Sequence, residues 1–220
     1  MGRGRAWVFA MLGVAALATQ AAAGPNWPDT FVSRLEALAL METLNASLLA
    51  SNSATDTLQD WCAGHHMAAD ATIHAHLLRD VQKPISAADR QRLEIGAHEP
   101  VIYRRVELAC GDHILSRADN WYVPARLTPA IDRALETSDI PFGRAVKSLR
   151  PRRQTFAVLI LWRPLAEGWE MAPPADHPDS KLVVPPVLFE HRAVVYAYGK
   201  PISEVDESYT SDILNFRTGQ

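Results

Sequence analysis

The chain has 220 residues, 48% hydrophobic and 21% charged, with a formal net charge of -3. That is enough for one globular domain with a sizeable core. The mildly acidic balance gives no electrostatic basis for binding nucleic acid or an anionic membrane surface, so no nucleic-acid partner is expected.

Taken from the N-terminus, Arg3 and Arg5 precede an apolar run from Trp7 to Leu17, and Ala21-Ala22-Ala23 follow. Charged, apolar and small-residue segments in that order predict a secretory signal peptide over residues 1–23, cleaved after Ala23. The mature chain is then one domain over 24–220, periplasmic or secreted. The two arginines are not adjacent, Gly24 rather than a cysteine follows, and the apolar run is short for a span. No stable membrane insertion is therefore expected after cleavage, with a retained anchor as the alternative. Cys62 and Cys110 either pair in an oxidising compartment or lie buried and unpaired, and spacing does not decide between these.

Phe31, Leu35, Leu38, Met41 and Leu44 recur at helical spacing, predicting a helix over 31–49. Ser53 and Asp56 form a capping-box-like start for a second helix that buries Leu58, Trp61 and Cys62 and ends at Gly64. Residues 71–78 alternate as a strand, and 84–99 read as a connection with a short helix. Residues 101–109 and 114–123 form a hairpin about Gly111-Asp112. A short helix from Pro129 to Leu135 leads into the turn Pro141-Phe142-Gly143-Arg144. Apolar runs at 154–163 and 182–198 flank a Pro/Gly/Asp-rich loop over 166–178, and a last hairpin turns at Tyr198-Gly199-Lys200-Pro201 into a closing strand over 202–209. Helices first and antiparallel strands after predict an α+β fold, a mostly antiparallel sheet with helices packed on one face.

The stretch from Arg105 to Pro124, the Pro-Phe-Gly-Arg turn, and the final hairpin from Phe189-Glu190-His191-Arg192 through Gly199-Lys200-Pro201 share their order with one known pattern. In that order they resemble the chorismate lyase family and its relatives, the effector-binding (UTRA-type) domains of some transcription regulators. The resemblance covers about residues 45–210, apart from a longer segment between Leu165 and Val187. It implies the chorismate lyase-like fold in a secreted member. It also implies elimination of pyruvate from chorismate, or a close analogue, to leave 4-hydroxybenzoate. Residue by residue, it implies that Arg105 binds the substrate carboxylate and that Glu207 is the acid, with Asp206 as the ungapped alternative. Phe142 and Gly143 of the turn and Ala54 of the early helix would touch the ligand. A binding or sensor module for a small aromatic carboxylate, without turnover, is the alternative function. No metal or organic cofactor is implied, and a monomer is expected.

The chemistry asks for a guanidinium, whose planar fork matches a carboxylate, and for an acid near the ether oxygen. Arg104 and Arg105 are adjacent on one strand, so one of them faces outward whatever the function. Glu207 is either a site acid or part of a solvated acidic cluster with Glu204 and Asp206. Arg192 is either a second carboxylate clamp or the cross-strand partner of an acid. Trp121, Tyr122 and Phe142 are core residues or pocket walls. His74 and His76 share a strand face, yet no metal-binding spacing accompanies them. Asn45-Ala46-Ser47 matches a glycosylation sequon inside a predicted helix.

Overall fold

The computed structural model describes residues 26–216, and the signal-peptide expectation lies outside them. In chain order the elements are β1 (Pro28–Asp29), α1 (Phe31–Ala50), α2 (Ala54–Gly64), β2 (Ile73–Leu77), α3 (Ala87–Arg92), β3 (Ile102–Cys110) and β4 (His113–Tyr122). Then follow α4 (Pro129–Thr137), α5 (Phe142–Ala145), β5 (Arg152–Ile160), β6 (His177–Lys181), β7 (Val187–Ala197) and β8 (Lys200–Thr210).

Helix α1 starts where the Thr30 side chain accepts a hydrogen bond from the Ser33 amide, meeting a first-turn donor that has no helical partner. Its buried stripe is Ala37, Met41, Leu44 and Leu48. Leu35, expected on that stripe, is 37% exposed instead. The helix carries leucines on most of its circumference, so spacing alone does not choose the inward side. Ser53 caps α2 by accepting from the Asp56 amide, and Leu58, Trp61 and Cys62 are buried as expected. The reciprocal capping box occurs on α3 instead, between Ser86 and Asp89.

Six strands form one antiparallel sheet in the order β2-β3-β4-β8-β7-β5. The β7–β8 hairpin closes through Tyr198 and Gly199, with φ of 51° and 77°. Two successive positive φ values match the right-handed twist of the flanking strands. Helices α1 and α2 cover one face through a core that includes Met41, Leu44, Leu48 and Leu58 against Val106, Leu108, Ala193, Val205 and Tyr209. Helix α4 packs Ile131 and Leu135 against Tyr122, Val195 and Ile202 at one end of the molecule. The opposite face is open except where the connection bearing α3 lays Leu93 against Trp121 and Val123. The architecture is α+β, with short α3 as the exception to helices on a single face.

Cys62 and Cys110 are bonded, tying α2 to the end of β3 with Cα atoms 6.4 Å apart. Closing a loop of 48 residues stabilises the fold by about 4 kcal/mol on chain-entropy grounds. The segment after β5 contains β6, which overlaps only the end of the 166–178 stretch expected as a loop and pairs with β1. Asp176 accepts a hydrogen bond from the Phe31 amide, and Trp169 stands 5.8 Å from the Phe31 ring. This arm braces the start of α1.

Candidate functional site

Alternation along the strands decides which side chains meet the helices. On β3, Arg104, Val106 and Leu108 face the helix layer, as do Asn120 and Ala118 opposite them on β4. On β8 the same face carries Val205, Glu207 and Tyr209. A cavity of about 50 Å³ lies between this face and the capped start of α2. Its lining includes Arg104, Asn120, Arg153 and Glu207 from the sheet, Ser53, Ala54 and Thr55 from the α2 start, and Phe142 and Gly143 from α5.

Arg104 is 6% exposed. Its guanidinium donates to the Ile140 carbonyl at 2.8 Å and, at longer range, to the Ser138 carbonyl, while its Nε has no partner among the described residues. Burial pushes its pKa down to about 10. Directly opposite on β4, Asn120 donates from Nδ2 to the Ser203 hydroxyl at 2.8 Å, leaving its buried Oδ1 without a partner. The cavity therefore contains a cation with only backbone acceptors, next to an unmet acceptor.

Arg153, on the edge strand β5, reaches under the layer to Glu207. Burial disfavours its charge, but the Glu207 carboxylate holds its pKa above the usual arginine value. Tyr209, fully buried, donates to the same Glu207 oxygen, Oε2, at 2.9 Å. Its phenol is pushed well up by burial and then by the neighbouring carboxylate. His191, opposite Glu207 on β7, is wholly buried with Nε2 2.8 Å from Asn45 Oδ1. Burial, then the Arg153 charge, pushes its pKa down to about 4. Asn45 is thus held inside the fold by its own side chain, in keeping with its helical position rather than the sequon reading.

Of the residues expected at a site, Glu207, Phe142, Gly143 and Ala54 line this cavity together. Arg105 and Arg192 do not; with Asp206 they line a separate cavity of about 150 Å³ on the open face, which Glu207 also borders. Arg105 lies one residue out of phase with Arg104, on the open face, 3.7 Å from Asp119. Arg192 lies on that face too, opposite Asp206 and 3.7 Å from it, which is the cross-strand reading. Asp206 joins the same charged surface, where Lys83 is 2.9 Å from Asp119 and 3.5 Å from Asp206. Tyr103 donates to Asp119 at 2.7 Å and has its pKa pushed up to about 12 by burial and that carboxylate. Trp121 and Tyr122 are core residues, and Phe142 packs 6.0 Å from Tyr122 while also lining the cavity. His74 and His76 are exposed on the outer strand β2. The arm over 166–178 contributes no residue to the cavity.

The sequence held a signal for Arg104 in strand parity. Arg104 shares its phase with Val106 and Leu108, whereas Arg105 shares its phase with Tyr103 and Glu107. Arg153 carried no comparable signal, because its partner Glu207 lies 54 positions away on a strand that β5 does not pair with. Among the described residues, no cluster of three or more His, Cys, Asp or Glu is placed to hold a metal, and no helix is long and apolar enough to cross a membrane.

No family model matches the chain. Among solved structures it is similar to the gene product SA0254 of Staphylococcus aureus, with a TM-score of 0.43 and 14% identity over 77% of this chain and 95% of that one. It is also similar to the effector domain of PhnF from Mycobacterium smegmatis, with a TM-score of 0.41 and 13% identity over 64% of this chain and 82% of that one. A third is the possible transcriptional regulator YydK of Bacillus subtilis, with a TM-score of 0.38 and 16% identity over 67% of this chain. The chain spans 62% of YydK, under two thirds of its length. Among curated proteins, "Uncharacterized protein y4mC" of Sinorhizobium fredii is 49% identical over 196 residues, covering 87% of this chain and 82% of that protein. At that identity and coverage, the chain belongs to the y4mC family.

Proposed function

We propose that the cavity between the sheet and the start of α2 binds the carboxylate of a small aromatic acid, with Arg104 as its anchor. One observation carries this reading. Arg104 is a buried guanidinium with no carboxylate in ion-pair contact among the described residues, Asp139 acting on it only from a distance, and such a charge is costly unless an anion meets it. The first amides of α2 lie beside the cavity, and the positive end of that helix dipole favours the same charge. Phe142 and the aliphatic side chains of Val106, Val146, Val195 and Val205 supply the apolar wall that a ring requires. The free volume, about 50 Å³, is less than the ~150 Å³ of an engineered cavity that admits benzene. A ring therefore enters only if the lining opens.

Elimination of pyruvate from chorismate is the second reading, favoured by Glu207 sharing the cavity with Arg104. Chorismate is bulkier than 4-hydroxybenzoate, so the small volume favours binding without turnover. Incubating the chain with chorismate while following pyruvate, and measuring the melting temperature with 4-hydroxybenzoate, separates the two. A raised melting temperature without pyruvate is the expected result. Pyruvate formation that disappears in Glu207→Gln would instead establish the lyase. No thermal shift and no product would overturn both readings.

A further inference from the structure

Arg104 and Asn120 are directly opposed across β3 and β4. Side chains so placed have Cβ atoms about 5 Å apart. Both residues are more than nine-tenths buried, both line the cavity, and each leaves one polar atom unmet. The two atoms are of opposite kind, since Arg104 Nε–H is a donor and Asn120 Oδ1 is an acceptor. Ser203 Oγ donates to the Glu204 carbonyl at 3.3 Å and so accepts from Asn120 Nδ2, which turns Oδ1 away from Ser203. A carboxylate alone satisfies the donor and leaves the acceptor stranded, and a buried unmet acceptor is expensive.

We propose that the site selects acids with a hydroxyl on the carbon next to the carboxylate, that is, 2-hydroxy carboxylates, with Asn120 as the specificity-determining residue. The carboxylate meets Arg104, and the hydroxyl, one carbon away, donates to Asn120 Oδ1. An ammonium in the hydroxyl's place would also donate. It would, however, add positive charge to a cavity that already holds two guanidiniums against the single carboxylate of Glu207, so a 2-amino acid is disfavoured. Benzoate and 4-hydroxybenzoate offer no donor beside the carboxylate, and they occupy only the Arg104 half of the pair. The inference rests on the carboxylate reading above and refines it.

Matched pairs that differ by one hydroxyl test it, namely mandelate against phenylacetate and lactate against propionate, titrated calorimetrically into the full chain. The hydroxy acid of each pair should bind about tenfold more tightly, the scale of one buried hydrogen bond to an otherwise unmet group. In Asn120→Leu, which removes the acceptor, the ratio within each pair should fall to within twofold. The wild-type ratio stands alone as a test if that variant does not fold. Acids that bind equally with and without the hydroxyl would overturn this inference and leave the carboxylate reading standing. Tighter binding of 2-phenylglycine than of mandelate would also overturn it. Failure of every acid to bind would overturn the carboxylate reading itself.

Discussion

Burial to about 6% exposure lowers the Arg104 pKa from its ordinary value to about 10, a cost of about 3 kcal/mol at neutral pH. Asp139 offsets that cost only in part and from a distance, whereas Arg153, equally hidden, has Glu207 in direct contact. Residues that weaken a fold without a structural return are the ones to suspect of binding. His191 makes a separate, testable contribution. Its pKa in the fold is about 4 against an ordinary 6.5, so as pH falls the unfolded chain takes up the proton first. Its contribution is intact above pH 6.5 and is lost progressively down to about pH 4. His191→Gln keeps a donor for Asn45 but cannot titrate. Urea unfolding at pH 7 and pH 4.5 should therefore show the wild type losing about 2–3 kcal/mol more than the variant over that interval. Equal losses would contradict this account of His191.

At the scale of elements, the cavity exists because α5 lies against the start of α2. A Cβ added at Gly143 would come within 3.0 Å of Thr55 Oγ1 and 3.2 Å of Ser53 Oγ. Both neighbours are fixed, Ser53 by capping α2 and Thr55 by burial. Gly143→Ala should therefore push α5 outward and destabilise the fold by about 1–3 kcal/mol, read by thermal or denaturant unfolding. Unchanged stability would mean that the two elements do not bear on one another as described. Much of this level was legible in the sequence. The Ser53 cap, the Gly111 and Gly199 turns and the alternation over 73–77 follow from local chemistry. The inward side of α1 and the pairing of β6 with β1 did not, since the first is ambiguous in a leucine-rich helix. The second joins segments about 150 positions apart that have no pattern of their own.

For the whole molecule, the sheet separates two chemistries. The covered face holds few charges, and these converge on the cavity. The open face carries Arg105, Lys83, Arg192, Asp119 and Asp206, engaged with one another near solvent, where such pairs contribute little. The Cys62–Cys110 bond fixes α2, whose start forms one wall, to β3, which carries the anchor. The resemblance in sequence pointed to β3, to Glu207 and to Arg105, whereas the buried arginine of that strand is Arg104, one position away. Order of motifs along a chain does not specify strand phase, and a shift of one residue exchanges the two faces. The most direct measurement is calorimetric titration of 4-hydroxybenzoate into the wild type, Arg104→Met and Arg105→Met at pH 7. The account predicts saturable binding that survives in Arg105→Met within about twofold. In Arg104→Met, binding should fall at least about tenfold while the protein stays as stable as the wild type or gains stability, because a buried unpaired charge is gone. Binding that is lost in Arg105→Met and kept in Arg104→Met would contradict it.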